Sequence, residues 1–221
     1  RQGLGAWRPA PEVAQRHAVQ SSVGDMLRFS RRSIFSAFGI IEHLQADQLL
    51  VGLLLSATQF GLYTAGTAFA NLPRFLGQSV GYVAYPEVSS APGPLKRRTI
   101  VRFVLLGGLA IGPAVALLVM AVPWLLPLLL GSSFRPAIPV AQILLAGALL
   151  QALRRVAAEA IRGLGSGLSA TVAEGIFIAV FAGSLLPLTA ALGVEGAALA
   201  SSLASFAAAV AIFRFKVGMI Q

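Results

Sequence analysis

Hydrophobic and polar positions follow each other in long blocks along this chain, not residue by residue. Six apolar stretches, at about 33–56, 60–85, 99–130, 137–161, 168–188 and 194–213, are separated by short runs rich in Gly, Pro and Ser. Each approaches or exceeds the roughly 20 residues that carry a helix across a hydrocarbon core. The pattern predicts an all-α integral membrane protein, a bundle of six transmembrane helices. Breaks are expected at 59–61, 86–94, 131–136, 163–167 and 193–196, where turn-forming residues gather. Pro113, Pro123 and Pro127 in the third stretch predict a kinked or tilted helix. Residues 1–27 are mixed, with Arg8, Pro9, Pro11, Arg16 and His17. They read as a cytoplasmic linker, either solvated or with an amphipathic helix over 11–20 lying on the membrane. Residues 28–221 form the helical lobe.

Composition agrees with the blocks. The chain has 221 residues, 57% hydrophobic and 11% charged, where a soluble domain carries about 25% charged residues. That excludes a soluble surface of this size. The net charge of +9 is explained without nucleic acid. If the chain starts in the cytoplasm and alternates, Arg135 is the one cation in an outer segment and Arg74 the one left within a span. Every other Lys and Arg falls on the inner side, among them Lys96, Arg97, Arg98, Arg102, Arg154, Arg155, Arg162, Arg214 and Lys216. The positive-inside rule therefore places both ends of this chain in the cytoplasm. There are no cysteines and only His17 and His43, so disulfides, thiolate metal sites and histidine-rich metal sites are excluded. No signal-peptide pattern opens the chain, and Arg1 in place of Met suggests a piece of a longer polypeptide.

One polar pattern stands inside the apolar blocks. In 61–86, Thr67, Asn71, Arg74, Gln78 and Tyr82 recur at spacings of three or four, within roughly 80° of one another on a helix. A cation at the bilayer centre costs roughly 2.5–3.5 kcal/mol on insertion scales, so Arg74 should face a bundle interior or a watery cavity. Its guanidinium suits an anionic group such as phosphate. The alternative is a structural ion pair with Glu42, Asp47 or Glu174. Glu42, Asp47 and Glu174 are themselves candidates for proton or ion coupling, since a carboxylate in a low-dielectric cavity can load and release a proton. At the inner end of the fourth stretch, Arg154, Arg155 and Arg162 surround Glu159, with i,i+4 and i,i+3 spacings. They read as an interfacial anchor, or as a basic cytoplasmic mouth that captures a lipid-linked phosphate. Ser201, Ser202 and Ser205 read as packing glue, as do Gly77/Gly81, Gly108/Gly112 and Gly163/Gly167.

Catalytic motifs are missing. No GxSxG, HExxH or P-loop pattern occurs, and no DDxxD to hold magnesium. Enzymatic chemistry, a metal site and a bound cofactor are all disfavoured.

Several strings carry a resemblance. Asp47-Gln-Leu-Leu-Val-Gly is followed by Gly61-Leu-Tyr and Ala65, Leu72-Pro73, and Tyr85-Pro-Glu-Val-Ser; LPLLLGSSF over 126–134 and Gly193-Val-Glu-Gly-Ala-Ala come later. In this order the chain, from about Met26 onward, resembles the polysaccharide (O-antigen-type) flippases, of the superfamily that also holds multidrug and toxin extrusion transporters and lipid II flippases. The resemblance implies one six-helix lobe, the second, of a two-lobed transporter, with residues 1–27 as the inter-lobe linker and the N-terminal lobe missing or replaced by a second copy. It implies a multi-pass protein of the plasma (inner) membrane that flips a lipid-linked oligosaccharide, a polyprenyl pyrophosphate sugar, for lipopolysaccharide or exopolysaccharide synthesis. In that reading Arg74 holds phosphate, and Asn71, Gln78, Thr67 and Tyr82 bond sugars. A drug exporter of the same superfamily is the alternative, although a cationic stripe repels cationic drugs. A non-transporting membrane scaffold subunit is another.

Overall fold

The computed structural model describes residues 46–164 and 168–217, with side chains over 48–164 and 170–214. The 1–27 linker, Glu42, His43 and most of the first span lie outside the described residues. Asp47 is on a described helix, but its side chain is not described. Six α-helices follow in order: α1 (Ala46–Leu54), α2 (Ala57–Ser90), α3 (Lys96–Leu130), α4 (Ala137–Arg162), α5 (Leu168–Leu192) and α6 (Val194–Val217). No strand occurs among the described residues.

Helices α3, α4, α5 and α6 are long and apolar enough to cross a membrane. The chain is thus an all-helical, membrane-embedded protein with four such helices among the described residues, where six spans were expected. α2 has the length, with 34 residues, but its polar stripe keeps its composition short of the other four. At 1.5 Å per residue α2 and α3 are each about 50 Å long, against a hydrocarbon core of about 30 Å. The hairpin they form carries Glu87 at the end of one helix and Lys96, Arg97 and Arg98 at the start of the other, which suits protrusion into water.

Two of the expected breaks are corrected. Residues 59–61 lie within α2, because the stop comes earlier, at Ser56. The Ser56 hydroxyl accepts from the Gln59 N–H at 3.4 Å, and the Gln59 side chain accepts from the Ser56 N–H at 3.4 Å. This capping box satisfies two orphan donors of the first turn. Pro86 also lies inside α2, as does Pro73, and α3 runs on through Pro113, Pro123 and Pro127. Proline is tolerated in membrane helices when neighbours satisfy the freed carbonyls. The α2–α3 turn is confined to 91–95, ahead of Lys96. Two later breaks fall where expected. Gly131 (φ +94°) leaves α3, and Gly193 (φ +60°) alone separates α5 from α6. Both adopt left-handed backbone that side-chain-bearing residues rarely take.

The helices are arranged around α4, which packs against α2, α3 and α6. In the most apolar stretch of each helix, 56% of α4 and 61% of α6 is buried, against 17% of α3 and 11% of α5. α4 and α6 therefore form the interior and α3 and α5 the lipid face. Composition sorts the same way. The buried residues of α4 and α6 are largely Ala, including Ala141, Ala148, Ala152, Ala197, Ala200 and Ala204, while Leu105, Leu109, Leu117, Trp124 and Leu186 point outward from α3 and α5. In lipid, helices associate by close packing of small residues, since burying leucine against leucine gains nothing over lipid tails.

α2 and α4 approach each other closely along their length. A Cβ on Gly66 would meet Ala141, one on Gly77 would lie 2.7 Å from Ala152, and one on Gly81 would lie 2.9 Å from Glu159. The partner numbers rise together, so the two helices run parallel. α3 runs antiparallel to α4: Gly107 faces Val156, and the Gln142 amide donates to the Val119 carbonyl at 3.2 Å. α6 is tied to α4 by the Ser202 hydroxyl donating to the Ile143 carbonyl at 2.9 Å.

Gly77→Val tests the seam. With no room beside Ala152, the substitution should cost about 1–3 kcal/mol through overpacking. Gly112→Ala, which meets nothing within 4 Å, should be neutral or slightly stabilising. Thermal denaturation in detergent, followed by size-exclusion chromatography, distinguishes the two; equal midpoints would contradict the packing described.

Candidate functional site

The polar stripe of α2 takes its place from the seam. Gly66, Ala70, Pro73, Gly77, Gly81, Ala84 and Val88 are buried and point toward α4. Val80 beside Gly107 marks the side that faces α3. At 100° per residue, Asn71, Arg74, Gln78 and Tyr82 fall on the opposite flank of the seam from α3. Asn71, Arg74 and Gln78 are half-buried and Tyr82 is exposed.

Within that flank the side chains pair along the helix. The Arg74 guanidinium donates through Nη1 to the Asn71 carbonyl oxygen at 3.3 Å. The Gln78 amide donates to the Tyr82 hydroxyl at 2.6 Å. Arg74 has no acidic partner among the described residues, and its Nε is buried without a hydrogen bond. Thr67 behaves differently. It is 1% exposed at the edge of the seam, and its hydroxyl donates to the Tyr63 carbonyl at 2.9 Å. Membrane helices commonly satisfy a threonine in this way, which leaves the Thr67 hydroxyl committed to its own helix.

The second polar group lies across α4. Arg154, 3% exposed, pairs through Nη1 with Glu174 of α5. The Arg154 guanidinium also lies 5.8 Å from the centre of the Phe177 ring, and Phe177 stacks on Phe181 with centroids 5.9 Å apart. A cation over an aromatic face in a desolvated setting adds attraction to the ion pair. Of the acids named as partners for Arg74, Glu174 is thus engaged elsewhere. At the C-terminal end of α4, Arg162 donates to Glu159 at 2.6 Å. Glu159 is itself buried, with its methylenes against the backbone of Gly81. Arg154 is therefore enclosed in the bundle, while Arg155 and Arg162 are half-exposed.

The sequence singled out Arg154 and Glu174 separately and did not join them. A signal was available. Arg154 lies nine residues before Gly163 and Glu174 seven after Gly167, so an α4–α5 hairpin brings them to nearly the same depth. Phe177 carried no such signal, because a phenylalanine in an apolar helix is unremarkable until its neighbour is known.

Removing either charge of this pair should destabilise the fold. Breaking a buried pair on one side costs about 3–5 kcal/mol, because the other charge remains buried and uncompensated. Arg154→Met or Glu174→Gln alone should lower the thermal midpoint more than the double variant does. A double variant equal to the sum of the singles would show that the charges are not coupled.

Comparison with known proteins bears on the chain from its N-terminal region through the start of α4. A family model described as polysaccharide biosynthesis protein matches residues 5–139. No curated protein and no solved structure matches the chain.

Proposed function

The chain belongs to the polysaccharide biosynthesis family, and from that premise we propose that it forms one lobe of a translocator that flips a lipid-linked oligosaccharide. The observation that carries the reading is Arg74. It sits midway along α2, half-buried, on a polar flank, with no acidic partner among the described residues. A cation at that depth that no described acid neutralises is costly in hydrocarbon, and a passing phosphate would supply the opposite charge. Guanidinium offers phosphate a planar fork of donors.

In this proposal a second lobe, on a longer chain or a second copy, faces the polar flank and completes a water-filled cavity. Rocking of the lobes opens that cavity to one side and then the other. The pyrophosphate and sugars travel along the flank while the polyprenyl tail stays in lipid. Arg74 holds phosphate, and Asn71, Gln78 and Tyr82 offer hydrogen bonds to sugar hydroxyls. Thr67 serves the helix and not the substrate. The role is transport and not catalysis, in keeping with the absent enzyme motifs. Arg155 and Arg162 would meet the phosphate at the cytoplasmic mouth of a plasma-membrane protein, an orientation that rests on the distribution of Lys and Arg. Glu174 is the described acid from which coupling to protons or sodium would start, and a proton or cation there would compete with Arg154.

Export of the surface polysaccharide in cells carrying Arg74→Ala tests the reading. A lost charge-assisted contact is worth about 1.5–3 kcal/mol, so export should fall by roughly tenfold or more. Arg74→Lys keeps the charge but loses the fork, and should retain an intermediate rate. Normal export by both variants, at normal protein level, would remove Arg74 from the mechanism.

A further inference from the structure

The exposed large side chains of α2 divide into two sets. Leu72, Leu76 and Val83 are exposed at 51%, 45% and 57%. At 100° per residue they fall together on the side of the helix away from the polar flank. Phe75, Tyr82 and Tyr85 are exposed at 65%, 60% and 47%, and all three fall on or beside the flank that carries Asn71, Arg74 and Gln78. No exposed aliphatic side chain of this size shares that flank. Lipid does not call for such sorting. A helix side that faces acyl chains takes leucine and phenylalanine without preference and rejects arginine and amides. Aromatic anchoring at the membrane interface accounts for tyrosines near a helix end. It does not account for their placement on one flank, nor for Phe75 one residue from Arg74.

Sugars are the ligand class that asks for both kinds of group at once. A pyranose ring presents C–H groups on its face and hydroxyls around its edge. An aromatic ring offers an apolar surface that a sugar face can cover, with a polar tip where it is a tyrosine. Neighbouring amides bond the hydroxyls. Here the Gln78 amide also donates to the Tyr82 hydroxyl at 2.6 Å, which fixes the Tyr82 ring in place. The rise from Arg74 is about 12 Å to Tyr82 and about 16 Å to Tyr85, enough length for more than one sugar ring.

We propose that Phe75, Tyr82 and Tyr85 form an aromatic track that binds the faces of sugar rings, with the phosphate held at Arg74 and the glycan extending along α2 toward its inner end. The inference rests on the reading of Arg74 as a phosphate contact. It adds an order to the ligand: tail and phosphate at mid-depth, sugars inward.

The test is binding by the protein purified in lipid nanodiscs, with two probes. One is a short-chain prenyl diphosphate carrying a disaccharide of N-acetylglucosamine, and the other is the same prenyl diphosphate without sugar. Wild type should bind the glycosylated probe more tightly. Tyr82→Ala and Tyr85→Ala should each weaken the glycosylated probe by about tenfold, the worth of one stacked ring, and leave the sugar-free probe unchanged. Tyr82→Phe keeps the ring but loses the hydroxyl, and should weaken the glycosylated probe by less than Tyr82→Ala does. Unchanged affinity for the sugar-free probe also reports that a variant is folded. Equal binding of the two probes by wild type, equal weakening of both by the tyrosine variants, or no weakening of either would overturn the track. Arg74→Ala separates the two readings, since it should weaken both probes. If it weakens neither, the phosphate reading fails, whatever the tyrosines do.

Discussion

The close approach of α2 to α4 is the constraint on which the rest of the bundle depends. Gly66, Gly77 and Gly81 leave no room for a side chain against Ala141, Ala152 and Glu159. Contact at that distance gains dispersion along the length of both helices, which is the available driving force where water is absent. It also fixes rotation. With glycines turned to α4 and Val80 to α3, Asn71, Arg74, Gln78 and Tyr82 fall on the other flank of the seam. The polar stripe is thus a consequence of the seam: a different rotation of α2 would bury the arginine against alanine or turn it to lipid.

The polar side chains of the bundle serve two physical ends. Some are closed. Arg154 and Glu174 satisfy each other between α4 and α5, Ser202 bonds the Ile143 carbonyl, and Thr67 bonds its own helix. These cost less in lipid because each side chain has a partner, and the first two tie helices to one another. Arg74 is of the other kind. Among the described residues it donates to the neutral Asn71 amide, and none of them supplies the opposite charge. The same contrast separates the peripheral α5, pinned by its ion pair and by Phe177 beneath the Arg154 guanidinium, from the polar flank of α2.

Much of this was legible in the sequence because apolar block length has a direct physical meaning in a bilayer. The positions of α3 to α6 follow from it to within four residues at each end, and the stripe on α2 follows from spacing alone. What escaped has particular causes. The start of α2 was placed too late because Gln59 was read as loop material, when with Ser56 it makes a capping box. Its end was placed too early because Pro86 was read as a stop, which it would be in water. Arg154 was read as a residue of the cytoplasmic mouth, yet it is 3% exposed; a run of basic residues at a helix end does not reveal which of them turns inward. Phe75 and Tyr85 were invisible as a set until exposure separated them from Leu72, Leu76 and Val83.

In the proposed translocator the Arg74 flank of α2 faces water and not lipid. Because the chain has no cysteine, single cysteines can be introduced without background. Inverted membrane vesicles carrying Asn71→Cys, Gln78→Cys, Leu76→Cys or Gly93→Cys would be treated with a membrane-impermeant maleimide. In the proposed orientation Gly93, in the exposed α2–α3 turn, lies at the cytoplasmic surface and should react here and not in intact cells. The account predicts that Gln78→Cys and Asn71→Cys also react in vesicles, while Leu76→Cys on the aliphatic side stays silent. Labelling at Gly93→Cys with silence at Asn71 and Gln78 would place the flank in lipid and contradict it.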